Sequence, residues 1–113
     1  MKPLTTDEIA PYLPQVAGWV LENDAKKISR TFLFDDFVKA LKFVNAVGDI
    51  AENQSHHPDI FISYNRVTLT IFTHSIGALT ENDFILAAKI DQLMQQINFA
   101  QAKHSPDAFG AVE

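Results

Sequence analysis

The sequence predicts an α+β fold: a single four-stranded antiparallel sheet with three helices on one face, in the order α-β-β-α-β-β-α. Three observations predict it. Two stretches, residues 18–34 and 59–74, alternate apolar and polar residues around Asn-containing turns, as β-hairpins do. Two others, residues 35–53 and 80–97, repeat their apolar residues at helical spacing. No repeat, linker or low-complexity segment divides the chain of 113 residues, so residues 1–113 are read as one domain.

Each element has a local cause. "TTDEIAPYL" opens with hydroxyl and acidic residues that suit a first helical turn, and Pro11 and Pro14 keep that helix short. "GWVLENDAKKISRTFLF" reads as two strands around Asn23-Asp24, with Ile28, Arg30, Phe32 and Phe34 on one face and Ser29 and Thr31 on the other. Arg30 breaks an otherwise apolar face. The next helix is capped near Asp35 or Asp36, carries Phe37, Leu41, Val44, Val47 and Ala51, and ends near Asn53.

"DIFISYNRVTLTIFTH" reads as two more strands around Asn65-Arg66, in which Val67, Leu69 and Ile71 alternate with Thr68, Thr70 and Phe72. His74 then falls at the strand's end, on the threonine side. The last helix starts at "TEND", where Thr80 and Asp83 have the spacing of a capping box, and runs through Leu86, Ile90, Leu93, Met94 and Ile97. The tail after Lys103 is read as loose.

Composition narrows the function. With 47% hydrophobic and 20% charged residues the chain is globular in type, and at this length it buries roughly 65% of its unfolded surface. Cysteine is absent, which rules out disulfides, thiolate metal sites and a cysteine nucleophile. The first residues lack a secretory apolar region, and no run approaches the ~20 apolar residues of a membrane span, so the reading is a soluble, cytoplasmic protein. A formal net charge of −5 with scattered Lys and Arg opposes nucleic acid binding.

The residues left for chemistry are histidines. His titrates near neutral pH and can give or take a proton, and His56, His57 and His74 all stand at element ends. Any one of them alone is more simply a solvated or structurally bonded side chain. His56 and His57, being adjacent, point in different directions and make a poor chelate, so no metal site is expected. If the two hairpins form one sheet, however, the start of the third strand and the end of the fourth lie side by side, and three imidazoles could face one cleft. Glu52 and Asp83, at the adjoining ends of two helices, could reach the same place. Each also has a plain alternative: Asp83 as a cap, Glu52 as a solvated residue, Pro58 as a helix stop, Trp19 and Tyr64 as packing.

The order Glu52, three residues, His56-His57-Pro58, five residues, Tyr64, nine residues, His74, eight residues, Asp83 resembles the pterin-4a-carbinolamine dehydratases. The opening "LT" and Trp19, "FxFxDFxxAxxFxxxVxxxAE" from Phe32 to Glu52, and "THxxGxLTxxD" from Thr73 to Asp83 carry the likeness over most of the chain. The resemblance implies the same fold and the dehydration of 4a-hydroxytetrahydropterins to quinonoid dihydropterin, with no cofactor. It implies a catalytic set of His56, His57 and His74, and substrate contacts from Glu52, Ser55, Pro58, Phe72, Thr73, Ser75 and Asp83. Of these, Asp83 would orient an imidazole as well as cap its helix.

The resemblance further implies a pterin as the small-molecule partner, a functional link to an aromatic amino-acid hydroxylase, and a homodimer or homotetramer. The long apolar stripe between Phe84 and Met94 is the surface expected to meet a second copy. Animal members of the family also act as coactivators by binding a homeodomain transcription factor, which makes a scaffold the second function class; a dehydratase for another pterin, as in molybdenum-cofactor metabolism, is a third. Two positions depart from the family pattern: Ser55 stands where many relatives have Asp, and Ile60 where many have an aromatic residue.

Overall fold

The computed structural model describes residues 2–102, with side chains described as far as residue 96. Its elements are α1 (Thr6–Ile9), a 3-10 turn (Leu13–Val16), β1 (Val20–Glu22), β2 (Lys27–Leu33), α2 (Phe37–Gln54), β3 (Asp59–Ser63), β4 (Arg66–Ile71) and α3 (Glu81–Ala102). The four strands form one antiparallel sheet in the order β1-β2-β4-β3. The expected α+β fold and element order are therefore present. The tail after Lys103 and the side chain of Ile97 lie outside the described residues.

Period two decides which face of the sheet is buried. Ile28 pairs with Ile71, and Phe32 with Val67, so their side chains share the face that meets α2 and α3. All four are buried, as are Leu69 and, from the helices, Phe43, Val47, Phe84, Leu86 and Ile90. Aromatic rings bind the layers: Phe43 sits 4.8 Å from Phe32 and 5.0 Å from Phe34, at tilted angles. On the opposite face Thr31 and Thr68 share a hydrogen bond, and Leu33 and Phe61 are exposed.

Arg30 is accommodated on the core face by neutralisation. Its Nη1 donates to Asp91 Oδ1 at 2.7 Å, and Trp19 Nε1 donates to the same oxygen at 2.9 Å. Its guanidinium also lies over the Phe32 ring, 4.6 Å from the centroid. Glycine at residue 18 leaves room for this guanidinium: a Cβ there would stand 2.8 Å from Arg30 Cζ and the side chain would have to shift.

The helix ends follow their caps. Thr5 and Glu8 form a reciprocal capping box at α1, and Asp36 accepts Lys39 N–H at 2.8 Å at the start of α2. At the start of α3, Thr80 N–H donates to Asp83 Oδ2 at 2.7 Å, the acidic half of the box that the spacing predicts.

Three expectations shift. The first hairpin turn spans residues 23–26 instead of two residues, with Asn23, Asp24 and Ala25 all left-handed. The second turn is Tyr64-Asn65, with Tyr64 left-handed, because Arg66 is already paired with both Leu33 and Ser63. The stripe on α3 is spent on the core: Phe84, Leu86, Ala87 and Ile90 are buried, and Ile85 is its exposed large residue. The other exposed apolar side chains include Phe37, Val38 and Leu41 on α2 and Ile60 and Phe61 on β3. Among the described residues no helix is long and apolar enough to cross a membrane.

Candidate active site

One end of the sheet gathers the C-terminus of α2, the start of β3, the segment after β4 and the N-terminus of α3. The gathering begins at Ser55, which is left-handed (φ 52°, ψ 40°) and turns the chain off α2. His56 N–H closes the helix by donating to Ala51 C=O at 3.0 Å. His56 is thus fixed at the helix terminus by its own backbone, and Pro58 prevents the helix from resuming.

The side chain of His56 meets Asp83. Nε2 lies 2.5 Å from Asp83 Oδ1, and Asp83 is fully buried. The other carboxylate oxygen accepts Thr80 N–H at 2.7 Å and Thr73 Oγ1–H at 2.9 Å. An ionised carboxylate only accepts, so His56 Nε2 carries the hydrogen in this contact. Nδ1 is left without a hydrogen bond among the described residues, and is the ring atom able to exchange a proton with a bound molecule.

His57 and His74 each have a carboxylate of their own. His57 Nε2 is 2.5 Å from Glu52 Oε2, one turn back on α2, and both side chains are exposed. His74 Nε2 is 3.4 Å from Asp59 Oδ1, with 52% of the histidine side chain exposed. The His74 ring also meets Phe72 edge-on at 4.2 Å, and Lys27 Nζ stands 4.6 Å from the centroid of that phenyl ring.

The segment that presents His74 is built by backbone hydrogen bonds. Thr73 pairs with Ala78, and its carbonyl accepts the N–H groups of Ile76 and Gly77. Gly77 has φ 72°, a conformation that favours glycine, so the reversal is tight. His74 and Ser75 consequently lie exposed on a turn beyond β4, which itself ends at Ile71.

A family model described as pterin 4 alpha carbinolamine dehydratase matches residues 2–93. The chain belongs to this family. A relative from Xanthomonas campestris pv. campestris (strain 8004), provisionally named a pterin-4-alpha-carbinolamine dehydratase, is 49% identical over 88 residues, covering 78% of this chain and 75% of the relative. One of the same provisional name from Rubrobacter xylanophilus is 46% identical over 91 residues, covering 80% of this chain and 84% of its own. Among solved structures, a transcriptional coactivator/pterin dehydratase from Brucella melitensis superposes with a TM-score of 0.76 at 36% identity, over 80% of this chain and 97% of that one. A pterin dehydratase-like protein described as a RuBisCO assembly factor in the alpha-carboxysome has a TM-score of 0.59 at 22% identity, over 67% of this chain and 88% of its own, a likeness of fold.

Within this pterin-dehydratase-family fold, His56, Thr73 and Asp83 are joined directly, and Glu52 is bonded to His57. His74 and Phe72 are in contact with each other. Ser55 and Ser75 are exposed and make no side-chain hydrogen bond among the described residues; the role seen for Ser55 is the left-handed cap. Pro58 is half-buried in the turn, and Tyr64 is exposed at the far hairpin. A groove of about 430 Å³ beside Tyr12, Phe84 and Ile85 has no histidine in its lining.

Sequence reasoning missed Asp59, Lys27 and the hydroxyl of Thr80. Asp59 opens β3 at the end of the sheet where His74 lies, and the observed register, one turn position away from the expected one, sets it opposite Thr70. Nothing local marks Thr80 as more than a cap, because its partner Thr73 is reached only through the fold.

Proposed function

We propose that this protein dehydrates a 4a-hydroxytetrahydropterin to quinonoid dihydropterin, as a carbon-oxygen hydro-lyase acting by histidine acid-base catalysis. The observation that carries the reading is the His56–Asp83 pair, in which a buried carboxylate holds one nitrogen of an imidazole and leaves the other free, in a chain of this family. The reaction needs little else. A proton is delivered to the C4a hydroxyl, the C–O bond breaks to release water, and the neighbouring ring nitrogen gives up its proton as its electron pair forms the C=N bond. An imidazole can serve each proton transfer, and such help is worth about 10²- to 10⁴-fold.

In this reading His56 is the acid that assists hydroxide departure, through Nδ1. His74, exposed and paired with Asp59, is the base or relay on the nitrogen side. His57 and Glu52 hold the pterin, with Phe72, Thr73, Pro58, Ser55 and Ser75 shaping its surroundings. Asp83 acts through His56, which it orients.

The chain is further read as one domain that forms a homodimer or homotetramer in the cytoplasm, without a cofactor. It would serve the product of an aromatic amino-acid hydroxylase in tetrahydrobiopterin recycling, with no membrane or nucleic acid partner of its own. A scaffold role is the second reading, favoured by the exposed apolar residues of α2 and β3 and by the coactivator named in a structural relative. The deciding experiment follows 4a-hydroxytetrahydropterin breakdown with and without the protein, against the uncatalysed rate. Acceleration supports the dehydratase; breakdown at the uncatalysed rate leaves the scaffold.

A further inference from the structure

We propose that Thr80, known from its sequence position only as a helix cap, is a positioning residue for His56, acting through a buried relay of hydroxyl groups. The inference rests on the dehydratase reading for its catalytic consequence, and on geometry alone for its physical content.

The relay is fixed by counting hydrogens. Thr73 Oγ1–H donates to Asp83 Oδ2 at 2.9 Å, which uses its one hydrogen. Thr73 Oγ1 is also 2.7 Å from Thr80 Oγ1, so in that contact Thr80 is the donor. The direction is therefore Thr80 O–H to Thr73 O–H to Asp83 carboxylate, with His56 N–H arriving at the other carboxylate oxygen.

Thr80 engages Asp83 twice, by its backbone N–H directly and by its hydroxyl through Thr73. Thr80, Thr73 and Asp83 are all buried, with exposures of 1%, 9% and 0%. Away from water each of these bonds is strengthened, and donors in series polarise one another. The backbone N–H suffices to cap the helix; the hydroxyl does something else. It locks the Thr73 rotor toward Oδ2, which holds the carboxylate plane and leaves Oδ1 to a single donor, His56. A carboxylate held in one orientation aims the free Nδ1 of His56 in one direction.

The test separates the hydroxyl from the cap. Thr80→Val keeps the shape and the backbone N–H but removes the hydroxyl, and Thr80→Ser restores the hydroxyl without the methyl. In ¹⁵N-labelled protein without substrate, the His56 Nε2–H resonance is identified by its loss in His56→Ala. In Thr80→Val that resonance is expected to move and broaden, while Thr80→Ser keeps the wild-type signal. In the dehydration assay kcat is expected to fall about 5-fold in Thr80→Val with KM nearly unchanged, and to recover in Thr80→Ser. If Val does not fold, Thr80→Ala lacks the hydroxyl without added bulk and is read the same way. An unchanged His56 resonance in a folded Val or Ala variant overturns the proposal, as does an equal loss in Ser and Val, which would mark the methyl as the cause. Because the resonance is read without substrate, failure of the relay is distinguishable from failure of the dehydratase reading, which appears in the wild-type assay.

Discussion

Asp83 Oδ1 and His56 Nε2 are 2.5 Å apart, and this contact ties the N-terminus of α3 to the turn that leaves α2. The carboxylate accepts from His56, Thr73 and the Thr80 backbone, so both of its oxygens are committed. Asp83→Asn keeps the size but replaces one acceptor oxygen by an N–H donor. His56 Nε2 must then either face a donor or give up its hydrogen and become the acceptor, and the charged acceptor is lost in both cases. The loss of a charged acceptor from these buried hydrogen bonds is expected to cost about 1–3 kcal/mol of stability. Chemical denaturation reads this directly, and kcat should fall in the same variant. Wild-type stability in Asp83→Asn would mean that the carboxylate is not held as described.

The histidines separate by burial. His74 and His57 are exposed, and His56 is partly buried, so alanine at the first two should leave melting behaviour unchanged. Replacing His56 or His74 is expected to lower the dehydration rate by about 10- to 10⁴-fold, and replacing His57 to act more on pterin binding. If they work as a unit, His56→Ala with His74→Ala should cost less than the product of the single losses. Full acceleration in both single variants would remove the cleft from the mechanism.

Most of the fold was legible because it is written in short-range patterns. Val67, Leu69 and Ile71 alternate with Thr68 and Thr70, and the structure buries the first three completely. The turns were harder: Tyr64 adopts φ 53°, a conformation that side chains other than Gly and Asn seldom take, and no local rule selects it over the neighbouring Asn65. Asn65 is held by the end of β2, donating its side-chain amide to Phe34 C=O at 2.9 Å, which is a tertiary cause. The same limit applies to the site. His56 and Asp83 could be suspected as neighbours from element ends, whereas the Thr73–Thr80 contact depends on the path of the six residues between them, which the sequence does not specify.

Exposed apolar side chains include Phe37, Val38 and Leu41 on α2, Ile85 on α3, and Val20, Leu33, Ile60 and Phe61 on the sheet, in which β3 is an edge strand. Unpaired edges and apolar stripes of this kind invite a partner, and a second copy of the chain is the simplest one. Two distinct two-fold interfaces build a tetramer; one builds a dimer. Sedimentation at micromolar concentration is expected to show one of these assemblies. Leu41→Glu should shift the distribution toward a smaller species without loss of fold. A wild-type protein that sediments only as a monomer would end the prediction.

Tyr12 supplies a pH dependence unrelated to the histidines. Its ring stacks on Phe84 at 4.8 Å with an interplanar angle of 13°. The phenol is raised from its ordinary value of 10.0, first by desolvation, then by the negative charge of Glu81 and a hydrogen bond to it, and then by the charge of Glu8. A raised phenol means that the folded protein keeps this proton at a pH where the unfolded chain has released it. The stabilisation is therefore complete below the unfolded value and is lost as pH rises from there through the folded value. Thermal melts from about pH 9 to about pH 11 should show stability falling more steeply in the wild type than in Tyr12→Phe, which has no phenolic proton to lose. The comparison cancels the lysines and Tyr64, which both proteins share. Glu81→Gln should flatten part of the same slope, since it removes the charge that opposes ionisation while leaving the stacked ring in place. Parallel melting curves for wild type and Tyr12→Phe across this range would show that Glu81 and the packing at Phe84 do not act on the phenol.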